Sequence, residues 1–492
     1  MKKASLVIKE IQEGSYNDIL KVVYIDENRI EKQPQRYVAA IEKFISLYGD
    51  QEIEIYSTPG RSEVSGNHTD HQNGEVLAAA INLDIIAVVS KNDVVKVLSD
   101  DYDLKPISLD DLSKKEDEVG TSEGLMRGVL ARFKELGYDI GGFNGYMTSD
   151  VLQGSGLSSS AAFEVMIGTI LSGLYNEMKV DPVVIGQVGQ YSENVYFGKP
   201  CGLMDQSACS VGSLIHIDFK DNSKPVVEKV DVEFSSFKHS LCIVDVHASH
   251  ADLTDDYAAV PYEMKKVAQF FGKEVLREVD EKDFYNQLVE VRKEVGDRAI
   301  LRAIHLFNEN KRVEKAVSSL KNDDFDTFKQ VIKDSGDSSY KYLQNVYSNK
   351  YPDNQAVSLA LALSEGILEN HGVCRVHGGG FAGTIQAFVE DEYVDHYKEE
   401  KYAQNQRECW YEIYEYMKLL ISNNGKSKEL GEDYIINVPK AEAAAYLEWI
   451  LWRAFLAIDH IVNKPYDARG FNVDQDYLPI GTAPGGKPDM IF

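Results

Sequence analysis

The chain has 492 residues, 43% hydrophobic and 27% charged, with a formal net charge of -27. That is room for two or three domains, and the charge argues against nucleic acid and anionic membranes as partners, because binding them usually begins with a basic patch. No run of about 18 uncharged apolar residues occurs, the start MKKASLVIKEIQEG turns charged too early for a signal peptide, and Cys201, Cys209, Cys242, Cys374 and Cys409 lack CxxC spacing. A cytoplasmic chain with reduced thiols is expected, without a membrane span, disulfide framework or zinc site.

In chain order, the first 55 residues read as a charged helical lead-in ending in the alternating segment QEIEIYS. Residues 79 to 98, rich in Ile and Val with a turn at Lys91-Asn92-Asp93, predict a hairpin. A helix is expected over 123–137, a strand over GGFNGYMTSDVL, and a helix from Ser158 to Tyr175, where Met166, Ile170 and Leu174 recur at i+4. Between the last two lies a loop of small residues within VLQGSGLSSSAAFEV, 151 to 165.

A helix start exposes unpaired N–H groups and the positive end of its dipole, so Gly154, Gly156 and the serines let a polyanion approach the backbone closely. The loop lacks GxxxxGK[ST], and Ser159 stands where the dinucleotide fingerprint has its third glycine. No HRD or DFG occurs, which excludes protein-kinase chemistry. By itself the loop fits a serine-rich helix cap without a ligand equally well.

Two more glycine-rich segments lie far away, TPGRSEVSGNHTDHQNG at 58 to 74 and CRVHGGGFAGTIQAFV from residue 374. Together with GSGLSSSAA, CGLMDQ at 201 to 206 and HADLTDDY at 250 to 257, they resemble the GHMP small-molecule kinases and, among these, the galactokinase family, over roughly residues 20 to 395. The resemblance implies an α+β, two-domain GHMP kinase fold, with an N-terminal domain like the second domain of ribosomal protein S5 and a ferredoxin-like C-terminal domain. The expected bounds are 1–235 and 236–420, followed by an extension over 421–492.

By the same resemblance, ATP with Mg²⁺ phosphorylates the anomeric hydroxyl of a sugar, D-galactose first. Asp205 and Arg61 take the catalytic positions. A carboxylate with an ordinary pKa of about 3.9 is a poor ground-state base for an alcohol, so Asp205 is read as orienting the hydroxyl and accepting its proton late. Arg61 is read as clamping phosphoryl charge and keeping Asp205 ionised. Gly154, Ser155, Gly156, Leu157, Ser158, Ser159, Ser160, Ala161, Gly379 and Gly380 fall at phosphate-binding positions. Ser160 and Glu193 fall at the metal contacts, where a hydroxyl and a carboxylate are suitable hard ligands. Asn67, His68, Asp70, Gly202 and Tyr257 fall at sugar-binding positions.

The family signature runs Gly-Arg-x-Asn-x-x-Gly-Glu-His-Thr-Asp-Tyr. Here Glu63 replaces its Asn, Asn67 its Glu and His71 its Tyr. In the family the Glu and His meet the O6 side of galactose, so a sugar differing at C6 (arabinose, a uronic acid) or N-acetylgalactosamine is an alternative. A non-catalytic sugar and ATP sensor that binds a protein is another, disfavoured by the intact phosphate loop and the presence of Asp205 and Arg61. The expected partners are sugar and MgATP, without nucleic acid or membrane, for a monomer or weak oligomer. Beyond 395 the likeness fades. An aromatic, alanine-rich helix near 440 to 462 reads as buried or at an interface, because it carries Glu448, Arg453 and Asp459. The tail from Glu432 weakly resembles the approach to a PD-(D/E)xK restriction endonuclease site, with Pro488-Asp489 as its first acid and no following acidic-x-Lys, so no cleavage is expected.

Overall fold

The computed structural model describes residues 1–25, 27–100, 102–151, 156–199, 201–222, 224–246, 253–406, 409–422, 427–429, 435–439, 442–459, 471, 473 and 477–479. Packing divides the chain into two compact units, one of residues 1–237, 243–361 and 374–386, the other of 238–242, 362–373 and 387–492. The bounds expected from sequence follow family likeness rather than packing.

The first unit is built on two long antiparallel strands, Glu52–Ser65 and Glu75–Asn92. The run Ile85 to Val89 is apolar without alternation because both faces of the sheet are covered. Ile85, Ala87 and Val89 pack with Met126, Phe133, Val165, Met166 and Ile170 of helices Ser122–Glu135 and Ser159–Asn176. Ile86 and Val88 pack with Ala4, Ile41 and Phe44 of the helical lead-in, whose helices are Ala4–Gln12, Asn17–Tyr24 and Glu27–Tyr48. The strand Glu52–Ser65 carries register shifts between Pro59 and Arg61 and between Glu63 and Ser65. Such irregularities re-aim side chains, and here they flank the first signature residues.

The hairpin expected at 79 to 98 is not formed. Both segments are strands, but Lys96–Ser99 pairs in parallel with Gly142–Ser149, which itself pairs with Glu75–Asn92. The third strand inserts because glycine stands where the chain turns: a Cβ on Gly142 would lie 2.5 Å from the Val94 nitrogen and 2.6 Å from the Asn92 oxygen. A local turn signal therefore marked a true turn whose two arms do not pair.

Also in the first unit, helices Thr254–Phe270 and Asp297–Lys321 share a core that includes Val260, Met264, Ala303 and Leu306. Strands His239–Asp245, Gly372–Val376 and Thr384–Glu390 form a sheet with Thr384–Glu390 central.

The second unit holds helices Val394–Asn405, Trp410–Ile421 and Ala443–Asp459 around Tyr416, Tyr446, Trp449 and Trp452. Arg453 lies over the Trp449 ring at 4.8 Å and donates to Glu412 and Gln406, so a charged helix is buried without an unpaired guanidinium. Among the described residues no helix is long and apolar enough to cross a membrane.

Candidate active site

The site begins where the signature strand meets the phosphate loop. A Cβ on Gly60 would lie 2.9 Å from the Leu157 carbonyl oxygen, so glycine lets the loop close on the strand, and the Arg61 N–H donates to that same oxygen at 3.1 Å. Arg61 then grips Asp205 with two bonds, Nε to Oδ1 at 2.7 Å and Nη2 to Oδ2 at 2.6 Å, and its Nη1 donates to the Gly156 carbonyl at 2.5 Å. Burial works against the Asp205 carboxylate. The Arg61 charge and the hydrogen bonds from Arg61 and Ser158 outweigh it and hold the group below the usual range.

Ser158 occupies the helix N-cap position with φ 58°, in the left-handed region. A serine there usually caps the first N–H groups. Its hydroxyl instead donates to Asp205 Oδ2, and no side-chain cap closes the helix. Backbone strain is thus held at the point where donors are left for an anion. Ser159, Ser160 and Ala161 open that helix, and Leu157 is buried beneath it. Gly154 and Ser155 lie outside the described residues. At Gly156, with φ 74°, a Cβ would lie 2.9 Å from Thr384 Oγ1 and 3.2 Å from His377 Nδ1, which places the end of the third glycine segment against the loop.

The remainder of the signature is a polar network. Asn67 is fully buried, its amide donating to Glu63 Oε1 at 3.0 Å and the Gly378 carbonyl at 2.6 Å. Its side-chain oxygen accepts from Ser339 and Asn345 at 3.2 and 2.8 Å. Glu63 in turn accepts from Arg375 at 2.5 Å. Glu309, from helix Asp297–Lys321, accepts from the Gly66 N–H at 3.1 Å and pairs with Arg312 at 2.6 Å. Burial raises the Glu309 pKa, but Arg312, His305 and Arg375 bring it down to about 2.

His68, with φ 58°, takes part in a directed chain. The Leu276 N–H donates to Gln72 Oε1 at 3.0 Å, which fixes that amide, so Gln72 Nε2 donates to His71 Nδ1 at 3.4 Å. His71 Nε2 is then the donor to His68 Nδ1 at 3.3 Å, and His68 Nε2 the donor to the Gly379 carbonyl at 2.9 Å. Burial pulls His68 below its ordinary value, and burial with the neighbouring His68 pulls His71 to about 3.

Asp70 is closed in by Gly202, where a Cβ would lie 2.1 Å from Oδ2. Burial, with Glu63 and Asp205 adding to it, pushes the Asp70 carboxyl up to about 6. Tyr257 donates to the Gly380 carbonyl at 2.5 Å and meets Phe381 edge to face. The carbonyls of Gly378, Gly379 and Gly380 are thus turned onto Asn67, His68 and Tyr257. Of the two glycines expected at the phosphates, Gly379 meets the signature residue His68 and Gly380 meets Tyr257, while His377 and Thr384 approach the phosphate loop.

On the far side of Asp205, Glu193 sits in a π-helical turn, Ser192–Phe197, a feature frequent at functional sites. Gln206 Nε2 donates to Glu193 Oε2 at 2.9 Å and to Glu164 Oε2 at 3.0 Å. Burial, and then the Glu193 charge, push the Glu164 carboxyl well up. A buried carboxylate on Glu193 and the Ser160 hydroxyl are hard oxygen donors, which suits a magnesium ion that keeps most of its waters and binds the phosphates. Among the described residues no group of three or more His, Cys, Asp or Glu could hold a metal without such help.

Residues 42–91 match the family model for the galactokinase galactose-binding signature, and 124–213 that for the GHMP kinases N terminal domain. The chain is 30% identical over 361 residues to a galactokinase of Streptomyces coelicolor, covering 72% of this chain and 89% of that one. It is 31% identical over 366 residues to a galactokinase of Actinobacillus pleuropneumoniae, covering 73% and 90%. The chain belongs to the galactokinase family. The fold agrees: the structure of Lactococcus lactis galactokinase complexed with galactose superposes with a TM-score of 0.61 at 24% identity, covering 72% of this chain and 90% of that one. Methanococcus jannaschii mevalonate kinase superposes at 0.50 with 16% identity, covering 70% and 93%. Both share the α+β GHMP architecture.

Residues 381–492 match the model for the AlwI restriction endonuclease, in keeping with the weak endonuclease likeness of the tail. Pro488-Asp489 lies outside the described residues.

Reading the sequence assigned Arg61 and Asp205 catalytic roles facing each other, Ser158 a phosphate-loop role and Asp70 and Gly202 sugar-binding roles, without pairing Ser158 with Asp205 or Asp70 with Gly202. It missed Glu63 as an anchor, and His305, Glu309, Asn345 and Arg375. Arg375, two residues before HGGG, was the most findable. Glu309 stands in NENKRVEK, where it reads as a solvated helix charge.

Proposed function

We propose that the protein transfers the γ-phosphoryl group of MgATP to the anomeric hydroxyl of a sugar, galactose first, in the cytoplasm. The observation that carries this is the twofold Arg61–Asp205 grip at the start of the phosphate-loop helix. Phosphoryl transfer through a loose transition state needs alignment and charge stabilisation more than a strong base. Asp205, held ionised and oriented by Arg61 and Ser158, aligns the hydroxyl and takes its proton as the bond to phosphorus forms. Arg61 faces the charge developing on the transferred group. Ser160 and Glu193 would hold Mg²⁺, which when bound neutralises phosphate charge and orients the leaving group.

At the sugar end, Asp70 and His68 support recognition of ring hydroxyls, with Gly202 and Tyr257 shaping the wall. Asn67 favours a broader sugar range than galactose. A site rejects an analogue lacking a hydroxyl strongly when polar groups are left unpaired, and the Asn67 amide is already satisfied by Glu63, Gly378, Ser339 and Asn345. Loss of O6 then orphans nothing there. The sugar's C6 end also meets no carboxylate at position 67.

The test is ADP release from MgATP with galactose, arabinose, galacturonate, N-acetylgalactosamine and glucose, beside Asp205→Asn. Turnover that disappears in Asp205→Asn is the expected result. No turnover with any sugar, in protein of native circular dichroism, would overturn the catalytic reading in favour of a sensor.

A further inference from the structure

We infer that Glu164 and Gln206 belong to the divalent-cation site, Glu164 as its second buried carboxylate and Gln206 as the positioning residue that holds it beside Glu193. This rests on the placement of the cation at Ser160 and Glu193. Glu164 follows Ser160 by four residues on helix Ser159–Asn176, so the two side chains leave the same helix face one turn apart. One amide nitrogen, Gln206 Nε2, donates to both Glu164 Oε2 and Glu193 Oε2, so the carboxylates lie within reach of a common neighbour.

Both are removed from water, Glu164 being 1% exposed and Glu193 4%. Two buried carboxyl groups that share one neutral amide can both carry charge only at a cost, which a cation between them would offset. Lys199 Nζ approaches Glu193 Oε1 at 3.7 Å, but the lysine is exposed and reaches the other carboxylate of the pair.

The independent sign of a missing ligand is that Glu164 Oε1 and Gln206 Oε1, both buried, have no hydrogen-bond partner. Waters of a hydrated Mg²⁺ are donors that would satisfy such oxygens, and ligand-supporting groups of this kind commonly change metal affinity about 10- to 100-fold when removed. The pair is also held from behind. A Cβ on Gly189 would lie 3.1 Å from Glu164 Oε2 and 3.0 Å from Gln206 Cγ, so the helix Pro182–Tyr191 closes directly on both.

The experiment is equilibrium ATP binding by the full chain, without sugar, in MgCl₂ and in EDTA. The readout is the ratio of the two dissociation constants, which a purely structural role would not move. Glu164→Gln should lower the magnesium advantage about tenfold and leave binding in EDTA unchanged. Should Glu164→Gln lose its native circular dichroism, Gln206→Met carries the same expectation. Glu193→Gln is the benchmark. Loss of the advantage in Glu193→Gln but not in Glu164→Gln or Gln206→Met overturns this inference and leaves the cation reading standing. An unchanged advantage in all the variants, or none in the unaltered chain, overturns both.

Discussion

Lowering the pH from 7.5 to 5 should raise the KM for galactose about tenfold, and Asp70 should be the cause. Its carboxyl sits at about 6, pushed up by burial first and by Glu63 and Asp205 after it. Sugar hydroxyls donate to the ionised form, so binding weakens as the proton goes on. One pH unit below its pKa about one-tenth of the groups remain ionised, which gives the tenfold figure. Histidine is the usual suspect for a limb near pH 6, but burial pulls His68 below its ordinary value and His71 lies near 3, and the Asp70→Asn comparison separates a histidine limb from an aspartate one. Asp205 is held below the usual range and stays ionised, so kcat should move less than KM. The assay is ADP release at saturating MgATP with galactose varied between pH 5 and 8, run beside Asp70→Asn. Stability gives a second readout of opposite sense. A carboxyl raised from 3.8 to about 6 binds its proton more tightly in the fold than in the unfolded chain, so ionisation above pH 6 costs the fold about 3 kcal/mol. Asp70→Asn should therefore lose sugar affinity and gain thermal stability at pH 7.5. A KM that is flat down to pH 5, or a limb that persists in Asp70→Asn, would refute the reasoning.

Asp205→Asn should lower kcat by about 10²- to 10⁴-fold with nucleotide binding little changed, since the lost carboxylate acts on the reacting hydroxyl; pre-steady-state ADP release separates the two. Asn67→Glu should cost about 3 kcal/mol by setting a second carboxylate against Glu63 and the Gly378 carbonyl, and adding Glu63→Asn should recover at least about 1 kcal/mol of it; hydrogen exchange at residues 62–68 reads the coupling. Glu309, lowered from 4.5 to about 2, contributes stability that is present above pH 4.5 and lost as the pH falls through 2. Glu309→Gln should lose about 3 kcal/mol at pH 7 and show a flatter acid response between pH 4.5 and 2 in thermal unfolding.

The parts of the site that sequence revealed are those whose chemistry is local. A strand, small residues and a helix start fit an anion loop or a plain helix cap, the family likeness chose between them, and Gly60 and Gly202 stand where close approach permits no side chain. What stayed hidden was long-range pairing. Asn67 looked like a sugar contact because the family likeness puts His68 and Asp70 beside it at sugar-binding positions. Its partners Ser339, Asn345 and Gly378 arrive from more than 250 positions away, and nothing near residue 67 signals that they will consume its amide. The hairpin failed for the same reason: Lys91-Asn92-Asp93 encodes a turn, while the strand that takes the free edge is encoded fifty residues later. Glu164 goes unremarked in the sequence, and only its burial and its unpartnered Oε1 single it out.

The two ends of the site are built on opposite principles, and the contrast bears on what each can evolve. At the phosphate end, groups are left unspent: Ser158 sits in a left-handed conformation, its hydroxyl serves Asp205 instead of the helix, and the helix start has no side-chain cap. At the sugar end nearly every group is spent, with Asn67, His68, Gln72 and the glycine carbonyls bonded to one another. On the proposed function, unspent donors would bind phosphate and define the reaction, whereas a spent network would present a fixed wall that leaves the preference among sugars to shape and to Asp70. Exchanging carboxylate and amide between positions 63 and 67 keeps their hydrogen bond but moves the charge onto Arg375, away from position 67. The chemistry at Asp205 is untouched by that exchange, since Arg61 and Ser158 hold it from the other side. A change of sugar could therefore be made in this chain without a change of reaction.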